Sequence, residues 1–398
     1  MRAGVKFLLD IISPFCLYAS QIDRGFEYDM PSATGILKIN LDAIASNWRF
    51  MRDFAHKAEV SAVIKANAYS LGATKIAEML SSQGCRSFFV TTLDEAFEIK
   101  PFVSSGSSIY VLAGVRPGDE IVFAEENFIP VIYSIEMLGR WINYCEANNQ
   151  YLATAIKIDT GMSRFGIQID EFLKELPFLS AKKINLVLLM SHLACADDRQ
   201  HSLNQLQLKR FRMVVDQAKS VFFSMKASLA NSSGIFLGKE WHFDLVRPGA
   251  ALYGINPQPG NFNPLQKTIS LQLPVLQVKT VTDKVYVGYG ASTQLEPGAR
   301  LATVAGGYAD GAHRSLGLKP RGLCLGKKVV AVGRVSMDST IFDVTEIDAT
   351  DEEILNAGIE VIGETLTLDD LISTNHSLGY EVLTSLGHRY QRNYQREP

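Results

Sequence analysis

The chain has 398 residues, enough for two domains, and 47% of them are hydrophobic, enough for a large core. Charged residues make up 20% and the formal net charge is -3, so the chain lacks the basic surface that holds a nucleic-acid backbone. Its five cysteines include no close pair of the metal-ligand kind, which favours a reducing, cytoplasmic compartment and argues against a disulfide framework or a metal site.

Residues 1–35 form an N-terminal extension that we expect to be poorly ordered. Residues 1–6 are mildly basic and residues 7–19 are mostly apolar, as in a signal peptide, but Asp10 interrupts a run that is also short. The run is too short to span a bilayer, and no later segment is apolar enough to do so. The sequence leaves open a signal peptide, a loosely ordered extension and a true start at Met30.

From residue 37 to about residue 254, short apolar runs alternate with amphipathic stretches, as in parallel strands that are buried on both faces. The eight apolar runs lie at 60–64, 87–90, 109–113, 129–133, 155–158, 186–190, 226–230 and 243–246. Helices are predicted between them at 73–82, 94–100, 135–148 and 205–221. Eight strands that alternate with helices predict a TIM (β/α)8 barrel, although an open, doubly wound sheet shares the alternation.

After residue 268 the pattern changes to close-spaced strands separated by turn residues. These strands are predicted at 271–281, 285–287, 299–304, 322–325, 329–332 and 340–344. Only 367–374 and 381–386 look helical, with Thr367 as a predicted N-cap. The sequence therefore predicts an α/β chain, with an N-terminal TIM barrel over 36–268 followed by a mostly β C-terminal domain over 269–398.

The active site of a TIM barrel lies at the C-terminal ends of its strands, and single polar residues follow the first, fifth and sixth predicted strands here. Lys65 follows the first strand. A lysine there is either a solvent-exposed residue at the strand end or a buried amine that can form a Schiff base. Arg164 lies in a glycine-punctuated loop after the fifth, and is either solvated or able to hold a carboxylate. His192 follows the sixth strand, a position where a histidine is often a buried core residue whose hydrogen bonds are satisfied.

The loops after the last two barrel strands contain residues that suit phosphate binding. Asn231, Ser232, Ser233 and Gly234 follow the seventh strand, and Arg247 begins the segment RPGA after the eighth. Many TIM barrels bind phosphate at these two loops, because backbone N–H groups there can approach an anion closely. A lysine together with a phosphate site at one barrel mouth indicates pyridoxal phosphate.

The segment 63–69, VIKANAY, resembles the cofactor-lysine motif of the alanine racemase family. The family usually continues with Gly-His-Gly, whereas this chain has Ser70-Leu71-Gly72. Further segments match the family in order, at 157–166, 191–194, 230–232, 247–254, 288–291, 307–311, 333–338 and 379–382. The resemblance covers about residues 35–394, and several ordered motifs across both domains make it highly specific.

The resemblance implies that the chain interconverts L-alanine and D-alanine with pyridoxal phosphate by a two-base mechanism, supplying D-alanine for peptidoglycan. It implies that Lys65 binds the cofactor covalently and acts on D-alanine, while Tyr289 acts on L-alanine. It also implies a chain of contacts from Tyr289 through His192 to Arg247, which helps the tyrosine to ionise. Arg247 would face the pyridine nitrogen, where barrel decarboxylases are expected to place a carboxylate.

The resemblance assigns the remaining site residues to the cofactor phosphate, the substrate carboxylate, the substrate entrance and a modified lysine. These are Tyr69, Ser232, Gly249 and Tyr380 at the phosphate, Arg164 and the backbone of Met337 at the carboxylate, Tyr308 and Arg314 at the entrance, and Lys157, which can be carbamylated and then orients the arginine.

Tyr289 and Met337 lie in the β domain while Lys65 lies in the barrel, so the resemblance implies a homodimer whose sites are completed by the partner chain. It also implies that the first strand, near 36–41, pairs with the β domain. The alternatives are a racemase of broader specificity, a barrel decarboxylase and a non-catalytic cofactor-binding protein. Arg247 argues against the decarboxylase. The β domain and its tyrosine argue against a non-catalytic relative, which would consist of the barrel alone.

Overall fold

The computed structural model describes residues 34–182, 184–311, 321–375 and 379–396. The predicted N-terminal extension, apart from its last two residues, and Arg314 lie outside these described residues. Within the described ranges, no helix is both long enough and apolar enough to cross a membrane.

The described N-terminal half is a closed barrel of eight parallel strands, which confirms the predicted TIM-barrel class. In barrel order, the strands are Glu59–Val60 continued by Ala62–Val63, Ser87–Val90, Ser108–Val111, Ile129–Ile132, Leu152–Asp159, Ile184–Met190, Lys226–Ser228 and Leu245–Val246. We call these the first to eighth barrel strands. The eighth strand pairs with the first through Leu245 and Glu59, so the sheet closes and an open, doubly wound sheet is excluded.

The barrel strands are apolar on both faces because one face lines the interior and the other packs against helices. One buried cluster joins side chains from several strands, including Phe89, Tyr110, Val131, Leu188 and Leu245. The rings of Phe89 and Tyr110 stack with their centroids 4.5 Å apart. This packing fills the barrel interior and confines the polar chemistry to the strand ends.

Helices connect the barrel strands, as the amphipathic stretches predict. They are Leu41–Phe54, Ala73–Ser82, Leu93–Ile99, Glu120–Glu126, Ile135–Ala147, Ile169–Leu179, Ser202–Val221 and the short Ser232–Ile235. The helix Ala73–Ser82 has the predicted bounds, and buries Ile76, Ala77 and Leu80 on one face. The helices Leu41–Phe54, Glu120–Glu126 and Ile169–Leu179 were not among the sequence predictions.

The C-terminal part is mostly β structure, as predicted. Its nine-stranded sheet has the order Val275–Thr280, Arg300–Ala305, Ser339–Asp343, Lys327–Ala331, Arg321–Cys324, Ile359–Ile362, Ile269–Leu273, Ile36–Asn40, Gln391–Gln395. The strand Ile36–Asn40 lies between Ile269–Leu273, antiparallel, and Gln391–Gln395, parallel. The predicted strand 271–281 is divided at Pro274, which has no N–H to donate to a ladder. A separate hairpin pairs Val285–Val287 with Thr293–Leu295.

The expectation of only two helices in this part is wrong, because Asp351–Ala357 is also a helix. Thr350 and Glu353 form a capping box at its start: Glu353 N–H donates to Thr350 Oγ1 at 3.2 Å, and Thr350 N–H donates to Glu353 Oε2 at 2.7 Å. The predicted helices lie at Leu368–Asn375 and Gly379–Thr384. The predicted cap at Thr367 is confirmed, since its hydroxyl accepts from Asp370 N–H at 3.1 Å.

Candidate active site

Lys65 lies two residues after the end of the first barrel strand, at Val63, and directly before a left-handed turn of the backbone. Ala66, Asn67, Ala68 and Tyr69 have φ values of 52°, 51°, 50° and 58°. This conformation costs an L-residue about 1–2 kcal/mol each, so neighbouring groups must hold it. Within the turn, Ala68 N–H donates to the carbonyl of Ile64 at 2.9 Å, and the Asn67 side chain accepts from Ala73 N–H at 2.7 Å. A strained segment thus presents the lysine at the barrel mouth.

The environment of Lys65 favours a neutral amine. Burial is the main cause that lowers the pKa of Lys65 below its usual range, and the positive charge of Arg164 lowers it further. The carboxylate of Glu95 acts in the opposite direction. A neutral amine is the form of lysine that attacks a carbonyl carbon, so a lowered pKa makes Lys65 a candidate nucleophile for Schiff-base chemistry.

The loops after the seventh and eighth barrel strands meet at Ser232 and Gly249. The hydroxyl of Ser232 accepts hydrogen bonds from Gly249 N–H at 3.0 Å and Ala251 N–H at 3.1 Å. A Cβ atom at Gly249 would lie only 2.6 Å from the hydroxyl oxygen of Tyr69. The absence of a side chain at Gly249 therefore lets the loop approach Tyr69. Together these residues form a small polar cradle that we call the phosphate cradle, after the role predicted for it from the sequence.

Two tyrosines complete the cradle side of the mouth. Burial, together with the nearby phenol of Tyr380, raises the pKa of Tyr69 to about 12, so Tyr69 stays a neutral hydrogen-bond donor. Tyr380 lies on the helix Gly379–Thr384, which packs against the segment that contains Lys65. Ser70 anchors that helix, because its hydroxyl donates to the carbonyl of Thr384 at 3.1 Å.

The departure from the family motif at Ser70 and Leu71 is accommodated by packing. Leu71 is fully buried in the core. The carbonyl of Ser70 accepts a hydrogen bond from Arg392 Nε at 3.1 Å, in addition to the bond made by its hydroxyl. Both residues therefore stabilise the lysine segment.

Arg247 is buried at the centre of the mouth. Its guanidinium donates to the hydroxyl of Ser228, to the carbonyl of Ser191 at 2.5 Å and to that of Leu229 at 3.4 Å. Burial lowers the pKa of Arg247 to about 9, which leaves the side chain cationic at neutral pH. Arg247 therefore places a fixed positive charge at the strand ends.

His192 is held neutral by its surroundings. Burial is the main cause that lowers the pKa of His192 well below its usual range, and the charge of Arg247 is the next. Lys157, Arg164 and Lys65 contribute in the same direction. These shifts place the imidazole, both arginines and both lysines in one electrostatic cluster.

Gln207 is a site-supporting residue that the sequence analysis missed. Its fully buried side-chain amide donates to Thr160 Oγ1 at 3.1 Å and to the carbonyl of His192 at 2.9 Å, and its oxygen accepts from Ala194 N–H at 2.9 Å. Gln207 thus joins the loops that follow the fifth and sixth barrel strands. The available signal was a polar residue on the apolar face of the helix Ser202–Val221.

The loop after the fifth barrel strand presents Arg164. One carboxylate oxygen of Asp159 accepts from the N–H groups of Gly161, Met162 and Ser163 at 2.9, 3.0 and 3.2 Å, which shapes the loop. The Arg164 side chain itself is exposed.

Lys157, on the same strand, is only 9% exposed and makes no hydrogen bond or ion pair within the described chain. Burial and the nearby Arg164 lower the pKa of Lys157 to about 8. Its Nζ atom lies 5.6 Å from the centre of the Phe165 ring.

The predicted site residues of the β domain lie on turns and are exposed. Tyr289 is 64% exposed between Gly288 and Gly290, whose φ values of 71° and 72° favour glycine. Met337 is 52% exposed and Tyr308 is 37% exposed. In the described residues, neither Tyr289 nor Met337 makes a hydrogen bond or ion pair with the barrel of its own chain. One chain therefore brings together the barrel residues and Tyr380, and leaves Tyr289 and Met337 at the surface.

Comparisons with known proteins agree on one family. Models of the alanine racemase N-terminal and C-terminal domains match residues 39–257 and 268–394. An alanine racemase of Rhizobium meliloti is 42% identical over 91% of this chain and 97% of its own length. One of Rhodospirillum rubrum is 41% identical over 91% and 96%. The crystal structure of the alanine racemase of Bartonella henselae with covalently bound pyridoxal phosphate has a TM-score of 0.86 at 37% identity, covering 91% of this chain and 100% of that one.

Proposed function

Because the chain belongs to the alanine racemase family, we propose that it is an isomerase that interconverts L-alanine and D-alanine with pyridoxal phosphate as its cofactor. The observation that carries this proposal is the barrel mouth. A lysine of lowered pKa follows the first strand there, and the phosphate cradle follows the last two.

The residues of the mouth fit pyridoxal phosphate. The absence of a side chain at Gly249 lets the loop lie close to the Tyr69 hydroxyl, and the Ser232 hydroxyl, which accepts from the N–H groups of Gly249 and Ala251, still has its own O–H to donate to an anion. Tyr69 and Tyr380 supply phenol groups beside it. We assign these four residues to the phosphate and Lys65 to the covalent link with the cofactor.

Racemisation removes a proton from one face of the substrate Cα and returns one on the other, and two bases on opposite faces do this directly. Bound pyridoxal phosphate withdraws electrons from the substrate Cα, which makes the Cα proton removable. We assign Lys65 Nζ to take that proton from D-alanine and the hydroxyl of Tyr289 to return one on the opposite face. In the reverse direction, the Tyr289 oxygen takes the proton from L-alanine and Lys65 returns one.

Tyr289 needs help to ionise, because a free tyrosine has a pKa near 10. We assign this role to His192, backed by Arg247. The lowered pKa of His192 keeps the imidazole neutral, and the N–H of a neutral ring can donate a hydrogen bond to the phenolate oxygen, which favours the ionised tyrosine. Arg247 stays cationic at neutral pH, and a positive charge facing a pyridine nitrogen would keep that nitrogen unprotonated. We infer that this limits side reactions such as transamination.

The substrate carboxylate is assigned to Arg164 and the backbone N–H of Met337. Arg164 can hold a carboxylate with two hydrogen bonds. The carbonyl of Met337 accepts from Ala309 N–H at 3.1 Å, while its own N–H has no acceptor within the described residues. Tyr308, together with Arg314, which lies outside the described residues, is assigned to the entrance.

Lys157 is assigned as a carbamylated lysine that orients Arg164. Carbamylation joins a neutral amine to carbon dioxide with loss of a proton, and a pKa of about 8 makes the neutral amine available near physiological pH. The product would be an anion beside the positive charge of Arg164, which favours its formation.

A homodimer would bring the two bases together. Tyr289 and Met337 are exposed on the β domain, whereas Lys65 and Arg247 lie in the barrel mouth. A large exposed tyrosine and methionine at glycine-rich turns are well suited to a buried interface. We propose that the β domain of one chain completes the barrel mouth of its partner. We also propose that the enzyme acts in the cytoplasm and supplies D-alanine for peptidoglycan.

An absorbance spectrum followed by a racemisation assay tests the function. We expect a yellow band that borohydride bleaches by fixing the cofactor onto Lys65, and D-alanine formed from L-alanine by the unreduced enzyme. A band without racemisation of alanine would favour the non-catalytic alternative, and racemisation of larger amino acids at similar rates would favour broader specificity. The absence of a band even after cofactor is added would contradict the proposal.

A further inference from the structure

Glu95 uses both carboxylate oxygens on backbone groups that follow the first and second barrel strands. Oε1 accepts from Ala66 N–H at 2.7 Å. Oε2 accepts from Thr91 N–H at 2.6 Å and from Thr92 N–H at 3.3 Å. The Thr92 hydroxyl accepts from Glu95 N–H at 3.3 Å, which completes a capping box on the helix Leu93–Ile99.

The contact with Ala66 goes beyond what a capping box needs. A capping-box glutamate reaches back to the N-cap N–H of its own helix, and one oxygen is enough for that. Here the second oxygen reaches a residue 29 positions earlier in the chain. That residue directly follows Lys65 and is the first residue of the left-handed turn.

We propose that Glu95 is a positioning residue for Lys65, which holds the left-handed turn at its first residue and places a negative charge beside the lysine amine. The proposal rests on the assignment of Lys65 as the cofactor lysine and base. Glu95 contacts neither the substrate nor the cofactor in this assignment, and acts through Lys65.

The turn is held at its two ends by groups from other elements. Five consecutive residues, Ala66 to Ser70, have positive φ without being glycine. At the far end, Arg392 and the Thr384 carbonyl hold Ser70. At the near end, Glu95 is the side chain that binds the turn, and hydrogen bonds to a carboxylate are among the stronger ones in proteins. Loss of this bond would relax the backbone at Lys65 itself.

The charges around Lys65 explain why the negative charge of Glu95 matters. Burial and Arg164 lower the pKa of Lys65, and Lys157 and the neutral His192 belong to the same cluster. Glu95 is the carboxylate that opposes them, and raises the pKa of Lys65. Without the Glu95 charge, the lysine freed during turnover would stay neutral to a lower pH.

The test compares Glu95→Gln with Glu95→Asp in the full-length, cofactor-loaded enzyme. Gln keeps the size but lacks the charge and offers one oxygen instead of two, so kcat should fall about tenfold to a hundredfold, the size expected for slight misplacement of a reacting group. The acidic limb of the kcat profile with D-alanine should also move to lower pH. Asp keeps the charge but is too short to reach Ala66, so its kcat should fall while the limb stays in place.

Two matched controls separate positioning from helix stability. Thr92→Ala removes the other half of the capping box and leaves the contact with Ala66. Glu98→Gln removes an exposed carboxylate from the same helix. Both should keep the wild-type kcat and pH limb. A wild-type kcat and limb in Glu95→Gln, or equal losses in Thr92→Ala, would overturn the proposal. Failure of the proposed function would show instead as a wild-type enzyme without racemase activity.

Discussion

Lys65 and Tyr289 are the two proposed bases, and their surroundings differ in almost every respect. Lys65 is partly buried in a strained turn, with its pKa lowered by burial and by Arg164. Tyr289 lies on a glycine-flanked surface turn and is 64% exposed. One base is therefore prepared by its own chain, through burial and fixed charges. The other requires a second surface to cover it, and the difference predicts where mutations and subunit mixing should act.

The largest effect is expected for Lys65→Ala. This change removes both the covalent link to the cofactor and one base, so racemase activity should fall by about 10⁴-fold or more. Borohydride should no longer fix the cofactor to the chain, which mass spectrometry of the reduced protein measures. A variant that still fixes the cofactor would assign the link to another lysine.

Tyr289→Phe should lower kcat by about 10²- to 10⁴-fold, the range for loss of a general acid-base group. The yellow band should persist, because Lys65 and the phosphate cradle are unchanged. Tyr286→Phe is the matched control, since Tyr286 is 65% exposed on the adjacent hairpin and should keep full activity. Equal losses in both variants would contradict a specific role for Tyr289.

Mixing inactive chains tests whether the sites are shared between subunits. Co-expressed Lys65→Ala and Tyr289→Phe chains should regain about a quarter of the wild-type activity, since half of the dimers are mixed and each mixed dimer holds one intact site. If both bases of a site came from one chain, every site would lack a base. The mixture would then stay inactive.

Gln207→Leu should have a smaller effect. The change leaves the His192 carbonyl and Ala194 N–H without their buried partner, which costs about 1–3 kcal/mol of unfolding free energy. Because the same contacts position the His192 loop, kcat should also fall about tenfold. Thermal unfolding and steady-state assays measure both effects. Gln205→Leu, at an exposed position of the same helix, should change neither.

The smallest effect is expected at Lys157. Because the pKa of Lys157 is about 8, raising the pH through that value should increase the neutral amine and, with it, carbamate formed from ¹³C-bicarbonate. Lys157→Ala should raise KM for alanine by about threefold to tenfold with little change in kcat, as for loss of uniform substrate binding. NMR of the labelled wild-type protein checks the modification. A labelled signal that persists in Lys157→Ala would place the carbamate elsewhere.

Local patterns determined much of the fold. Eight apolar runs predicted the barrel, and the helix Ala73–Ser82 has its predicted bounds. Both were predictable because an element buried on one or two faces has apolar residues at regular intervals in its sequence. The helix Asp351–Ala357 was missed although Thr350 and Glu353 carry a capping-box pattern. The strand Gln391–Gln395 was missed because its pairing with Ile36–Asn40 joins opposite ends of the chain.

The candidate site was predicted in part for the same reason. Lys65, His192, Ser232 and Arg247 follow predicted strands, and strand ends of a parallel barrel meet at one mouth, so their positions along the chain place them. Gln207 and Glu95 are polar residues on helices; the position of Gln207 on an apolar helix face indicated burial, but no local pattern showed which groups either residue would bind. Tertiary structure decided their roles, because a hydrogen bond between distant residues depends on packing that brings two backbones within about 3 Å.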